Sequence, residues 1–203
     1  MINDVWMHQK EKAVIEKYLN PETIMMEWGS GGSTVEFSKK VKEYYSVEHN
    51  MEWYIKVKNS ISPNVHLYYK EVGERPDDSV YNQSTYEHYS SYLDSVYEIG
   101  KMFDIVLIDG RARRLCALKI IPYLKPNAIV IIHDWCLRPC YHCVLDYYDL
   151  VKSNGFFIES LALFINMLLG FFDSAWQINR HSKSFTFFFG FTSSDFNVFE
   201  LFF

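Results

Sequence analysis

"MEWGSGGSTVEFS", Met26 to Ser38, decides how this chain is read. Glycines at 29, 31 and 32 follow directly on an apolar run that closes with Glu27 and Trp28. Upstream, "TIMMEW" has the length of a buried strand; downstream, "STVEFSKKV" starts a helix at Ser33 or Thr34. A glycine-rich turn between strand and helix lets a ligand approach the backbone and aims N–H groups at it. Gly29 and Gly31 fit the dinucleotide pattern G-x-G-x-x-G, but Thr34 stands at the third glycine position. Glu27, two residues before the first glycine, suits a cationic ligand better than a pyrophosphate.

Outward from this turn the chain alternates strand and helix. Residues 4–19 carry apolar positions at helical spacing and stop before Pro21. "EYYSVEH", "NVHLYYKEV", "FDIVLIDG" and "NAIVIIHDW" read as further strands. "MEWYIKVKNSI", residues 87–100 and "RRLCALKIIPYL" read as the helices between them, with a polar, Tyr-rich loop over 73–86 and a turn at "KPN". "YHCVLDYYDLV" is expected to be helical, and "FFIESLALFINMLLGFF" a buried strand plus helix. "SKSFTFFFGFTSS" has the alternation of a late edge or hairpin strand. Such alternation predicts a doubly wound α/β fold, a mostly parallel Rossmann-like sheet with helices on both faces.

Composition sets the outer limits. A chain of 203 residues, 49% hydrophobic, can bury one sizeable core, and a single domain over 1–203 is expected. A net charge of −5 argues against a nucleic-acid partner. The most apolar segment contains Glu159 and Asn166 and is too short for a bilayer span, so no membrane partner is expected. With no basic-then-apolar leader and few cysteines, a soluble cytoplasmic protein is the simplest expectation, and a homodimer is compatible with it.

Ligands of an open parallel sheet sit beyond the carboxyl ends of its strands, where strand order reverses. Glu27, Glu48, Asp109 and Asp134 all fall at such ends. S-adenosylmethionine, with its ammonium and sulfonium, is a ligand that Glu27 would suit. Glu48, 21 residues further on, is placed to take both ribose hydroxyls. At this point the chain resembles the class I S-adenosylmethionine-dependent methyltransferases. "EWGSGGST" matches their first motif, "SVEHN" their second-strand acidic motif, and "FDIVLIDGR" and "IVIIHDW" their strand-four and strand-five motifs, over about residues 10–155. Within that superfamily the pattern is most similar to small sugar and glycan O-methyltransferases of the macrocin type.

The resemblance implies S-adenosylmethionine as cofactor and a small-molecule or glycan acceptor. Glu27 and the turn Gly29, Ser30, Gly31, Gly32 and Ser33 would hold the amino-acid end, Glu48 the ribose, with Asp109 beside them. Asp109 and Asp134 are placed to share a hard cation such as Mg²⁺, as in metal-dependent sugar and catechol enzymes. Those enzymes often add an Asp or Asn at the strand-five site, where this chain has His133 and Trp135. The competing mechanism is metal-free, with His133 as general base oriented by Asp109 or Asp134. Arg111, Trp135 and the tyrosines Tyr81, Tyr86, Tyr89 and Tyr92 are candidates to touch the acceptor, the tyrosines as a lid. A small phenol is the second acceptor class. A non-catalytic methyltransferase-fold subunit and an NAD-dependent Rossmann enzyme are the rivals of other classes.

Cys136, Cys140 and Cys143 form C-x₃-C-x₂-C, the spacing of radical enzymes that hold a four-iron cluster. That motif belongs on a loop after a first strand, not after a fifth. A zinc site with His142 would ask one helical turn for four tetrahedral ligands. Cys140 and Cys143 are expected instead as small buried residues on the helix.

Overall fold

The computed structural model describes residues 5–73, 86–135, 138–153, 162–166, 185–188 and 198–201. Contacts group the chain into two units, Met1–Met167 and Leu168–Phe203. The described part of the second unit is a hairpin, in which Phe185–Phe188 pairs antiparallel with Val198–Leu201. It agrees with the alternation of "SKSFTFFFGFTSS".

In the first unit α1 (Gln9–Glu16) precedes β1 (Ile24–Trp28), α2 (Gly32–Phe37), β2 (Glu43–Glu48) and α3 (Met51–Lys58). Then come β3 (Val65–Tyr69), α4 (Tyr86–Ile99), β4 (Phe103–Ile108), α5 (Arg113–Ile120) and β5 (Leu124–Ile132). The unit ends with β6 (Tyr148–Ser153) and β7 (Ala162–Asn166). The sheet order is β3-β2-β1-β4-β5-β7-β6, with the first five strands parallel and β7 antiparallel to both neighbours. Strand order reverses between β1 and β4, which makes their carboxyl ends the switch point of the sheet.

Side chains alternate between the two faces of each central strand, and both faces are buried. Met25 of β1, Tyr44 of β2, Ile105 and Leu107 of β4, and Ile131 of β5 pack with Val14 and Ile15 of α1 and Phe37 of α2. Met26, Trp28, Val47, Val106, Ile108, Val130 and Ile132 pack on the opposite face with Leu93 and Val96 of α4 and Cys116, Ala117 and Ile120 of α5. Glu27, Ser46, Asp109 and His133 continue the first set at intervals of two. The polar rim is the tail of a hydrophobic face.

Three expectations change. "KPN" is not a turn between elements but a bulge inside β5. The register jumps from Phe103↔Leu124 to Ile105↔Ile129, with Asn127 left-handed at φ +62°. The segment expected as one helix is a 3₁₀ stretch, Pro139–Asp146, followed by β6. Tyr148 is buried and donates to the Ala117 carbonyl, and β6 pairs with β7, so backbone pairing outcompetes helix there. Cys140 and Cys143 are therefore exposed on the 3₁₀ stretch rather than buried in a helix; Cys136 lies outside the described residues. Of the apolar run from Phe156, β7 is described, and the expected helix and Tyr81 lie outside the described residues.

Candidate active site

The rim is level because the ladder runs one residue beyond each strand. Gly29 N–H donates to the Val47 carbonyl at 2.9 Å, Asp109 N–H to Trp28 at 3.0 Å, and His133 N–H to Ile108 at 3.1 Å. Three chain segments, after β1, β4 and β5, thus turn away from the sheet at the same height.

Gly29 has φ +99°, and a Cβ there would lie 2.5 Å from the Gly110 nitrogen. Gly110 is equally confined: a Cβ there would lie 3.0 Å from the Gly29 backbone and run into the Tyr92 hydroxyl. The bare surface of Gly29 therefore serves the contact between the turns after β1 and β4, not a ligand. Gly31 N–H donates to Thr34 Oγ1 at 2.8 Å, which closes the turn, and the Trp53 indole lies 3.5 Å from a Cβ placed at Gly31. Trp53 also donates to the Ser30 carbonyl. Gly32 begins α2.

Glu27 is fully buried. Ser33 Oγ, Thr34 Oγ1 (2.5 Å) and Ser46 Oγ (2.8 Å) all donate to its carboxylate. Ser30 Oγ joins the knot through Ser46 Oγ at 2.7 Å. Burial pushes the Glu27 pKa up to about 7, against the pull of the three hydroxyls, with Asp109 adding to the rise. The structure makes Glu27 the hub that ties β1, α2 and β2 together, its carboxylate already bonded to three hydroxyls.

Glu48 keeps its expected place at the end of β2. Its Oε1 accepts from the backbone N–H groups of His49 (2.9 Å) and Asn50 (2.8 Å), and lies 3.0 Å from His49 Nδ1. All three contacts use one oxygen of a carboxylate that is itself buried, so a ligand hydroxyl would have to be met by Oε2. This fits a ribose better than a phosphate, because a fixed carboxylate repels an anion.

At the far side of the switch point Asp109, His133 and Asp134 offer ligand atoms that all lie within 4.8 Å of one another. His133 Nδ1 is 2.8 Å from Asp109 Oδ1, and its Nε2 is 3.5 Å from Glu11 Oε2 on α1. Burial alone would lower the His133 pKa, but Asp109, Asp134 and Glu11 outweigh it and hold the imidazole above its ordinary value. Glu11 is buried and also caps α1 by accepting from the His8 N–H at 2.9 Å. Nothing in the sequence marked it as a site residue; its interval to the apolar Val14 and Ile15 is the trace it leaves.

Of the three arginines that follow the strand-four carboxylate, Arg111, Arg113 and Arg114, one was expected to hydrogen-bond a substrate or pair with the acidic rim, Arg111 above all; the structure gives that pairing to Arg113. Its Nη1 is 3.0 Å from Asp134 Oδ2 and its Nη2 is 3.3 Å from Asp109 Oδ1. It also donates to the carbonyls of Gly110 (3.0 Å), Asp109 (3.1 Å) and His133. Burial would raise the Asp134 pKa, but Arg113, His133 and Arg138 hold it below the usual range. Mg²⁺ does not fit this set: the two carboxylates already face a guanidinium, and the remaining donor is an imidazole nitrogen, which Mg²⁺ does not favour.

The proposed acceptor contacts divide. Arg111 is exposed beside the rim. Tyr89 and Tyr92, expected in a lid, are buried with Leu93 and Val96 on the inward face of α4, and Trp135 is buried against His142. Tyr86 spends its hydroxyl on Asp94 at 2.6 Å.

A methyltransferase-like protein from Silicibacter pomeroyi superposes with a TM-score of 0.63 at 24% identity, covering 80% of this chain and 88% of its own. Precorrin 8W decarboxylase of Methanobacterium thermoautotrophicum gives 0.56 at 14%, covering 80% and 92%. A Streptococcus mutans protein solved in complex with S-adenosylhomocysteine gives 0.54 at 11%, covering 79% and 100%. This is the Rossmann-like fold of the class I methyltransferases. No protein-family model matches the chain, and comparison with curated proteins finds no sequence match. Among the described residues no helix is long and apolar enough to cross a membrane.

Proposed function

We propose that this protein is an S-adenosylmethionine-dependent O-methyltransferase acting on a hydroxyl of a sugar or glycan. One observation carries the reading. Glu48, with a carboxylate oxygen left over, and the Asp109–His133 pair flank the switch point of a methyltransferase-type sheet from opposite sides. The first suits a ribose, the second a hydroxyl that must lose a proton. The sugar or glycan class is supported by the likeness of the four strand-end motifs to sugar O-methyltransferases.

When bound, the cofactor supplies an electrophilic methyl on its sulfonium. The protein's part is to bind, orient and deprotonate. Glu48 Oε2 takes the ribose hydroxyls. Glu27 acts at one remove, by fixing Ser33 and Thr34 and hence the turn that borders the cofactor. Asp109 holds Nδ1 of His133 and orients the ring, and the neutral imidazole would take the acceptor proton. The imidazolium that results is stabilised by Asp109, Asp134 and Glu11. No metal enters this scheme, because Arg113 already supplies positive charge to both carboxylates.

The test is a methylation screen by mass spectrometry with S-adenosylmethionine and panels of sugars, phenols and amines, run with and without EDTA. A sugar gaining one methyl on oxygen, unaffected by EDTA and abolished by His133→Ala, is the expected result. Exclusive methylation of phenols or amines would move the acceptor class, and no methylation together with no cofactor uptake would end the enzymatic reading.

A further inference from the structure

We infer that Arg113 is a built-in counter-cation, a fixed positive charge that takes the place of a divalent metal among Asp109, His133 and Asp134. Metal sites on carboxylates serve to neutralise neighbouring negative charge and to fix the geometry of loops. Arg113 does both from within the chain. Its fork spans the gap between the turns after β4 and β5, with one terminal nitrogen on each aspartate. The same guanidinium accepts no solvent role: it is about nine-tenths buried, and its remaining protons go to the carbonyls of Asp109, Gly110 and His133.

Charge bookkeeping agrees. Three carboxylates, those of Glu11, Asp109 and Asp134, surround His133, and two guanidiniums face them, Arg113 and, at 3.4 Å from Asp134, Arg138. A dication in addition would overcharge the rim.

The backbone is bent to allow this contact. Ala112, just before Arg113, has φ +49°, and Asp134 has φ +56°, both in the left-handed region that side chains other than glycine rarely occupy. Two such residues flank one ion-pair bridge, and each is a backbone state that the surrounding contacts must hold in place. Arg is also the residue type the task requires, because only a planar fork reaches two carboxylates and several carbonyls at once; a Lys ammonium is a point charge.

The inference concerns charge at the rim and stands apart from the methyl-transfer reading, so the readout is metal uptake. Mn²⁺ is titrated into the full chain and followed by electron paramagnetic resonance, using wild type, Arg113→Ala, Arg113→Met and Arg113→Lys, each checked for folding by circular dichroism. Wild type is expected to take up no Mn²⁺ at the rim. Either folded variant that lacks the charge should bind one Mn²⁺ about tenfold or more tighter than wild type, and Asp134→Asn in the same background should remove that gain. If both uncharged variants unfold while Arg113→Lys folds, the fixed charge is what the rim requires, the same conclusion by another route. Wild-type Mn²⁺ binding that Asp134→Asn weakens would overturn the inference. So would a folded Arg113→Ala that binds no tighter than wild type.

Discussion

Burial and hydrogen bonding act on Glu27 in opposite directions, and burial wins. Its carboxyl, held at about 7 against an ordinary 4.5, keeps its proton in the folded chain at pH values where the unfolded chain has released it. Stability is therefore full below pH 4.5, falls as pH rises, and has lost about 3 kcal/mol from this group once pH passes 7. Glu27→Gln, which keeps the shape of the protonated acid, should flatten that dependence. Urea midpoints for the two chains are expected to agree near pH 5 and to separate in favour of Glu27→Gln near pH 8. Parallel pH profiles would show that the carboxyl is not the strained group. At this scale the sequence pointed to the right positions more often than to the right contacts. Glu27 was legible as a strand-end carboxylate, but its three hydroxyl donors come from α2 and β2, which spacing alone does not bring together. Arg111 drew attention by adjacency to the motif, whereas Arg113 makes the contacts, four residues after Asp109 at the interval that sets one helical turn's partners.

Between elements, the contact that matters most is glycine against glycine. The turns after β1 and β4 approach until Gly29 and Gly110 touch, and this closeness lets Asp109 N–H reach the Trp28 carbonyl at 3.0 Å. Gly29→Ala would drive a Cβ to 2.5 Å from a backbone nitrogen that cannot swing aside, in a conformation already unfavourable to alanine. Overpacking and left-handed strain together predict a loss of about 2–5 kcal/mol without any ligand present. Equilibrium unfolding decides the point. If Gly29 were kept clear for a cofactor instead, the variant would unfold like wild type and fail only in binding. The elements themselves were readable wherever an apolar run fills both faces of a strand, as in β1, β4 and β5. They were unreadable after Pro139, because Val144 and Tyr148, four apart, present the same pattern to a helix as to a 3₁₀ stretch running into a strand. Pairing with β7 decides between them, and that partner lies more than ten residues downstream.

For the molecule as a whole, the sheet gathers distant residues into one rim: Glu11, Glu27, Glu48, Asp109 and His133 come from five different elements or turns. A ligand that touches several of these ends must stabilise the fold that assembles them, because the unfolded chain offers no such site. S-adenosylhomocysteine at a hundredfold its Kd should add about 2.7 kcal/mol, which in a protein of this size raises Tm by about 5–10 °C. Glu48→Ala should shrink that shift at the same ligand concentration while leaving the ligand-free Tm nearly unchanged, since among the described residues the Glu48 carboxylate bonds to its own neighbours His49 and Asn50. NAD⁺ at equal concentration should leave Tm where it is, because Thr34 stands at the third glycine position and Glu27 anchors the turn through it rather than leaving room for a pyrophosphate. A larger shift with NAD⁺ than with S-adenosylhomocysteine would reassign the rim to dinucleotide chemistry, and with it the roles of Glu48 and His133.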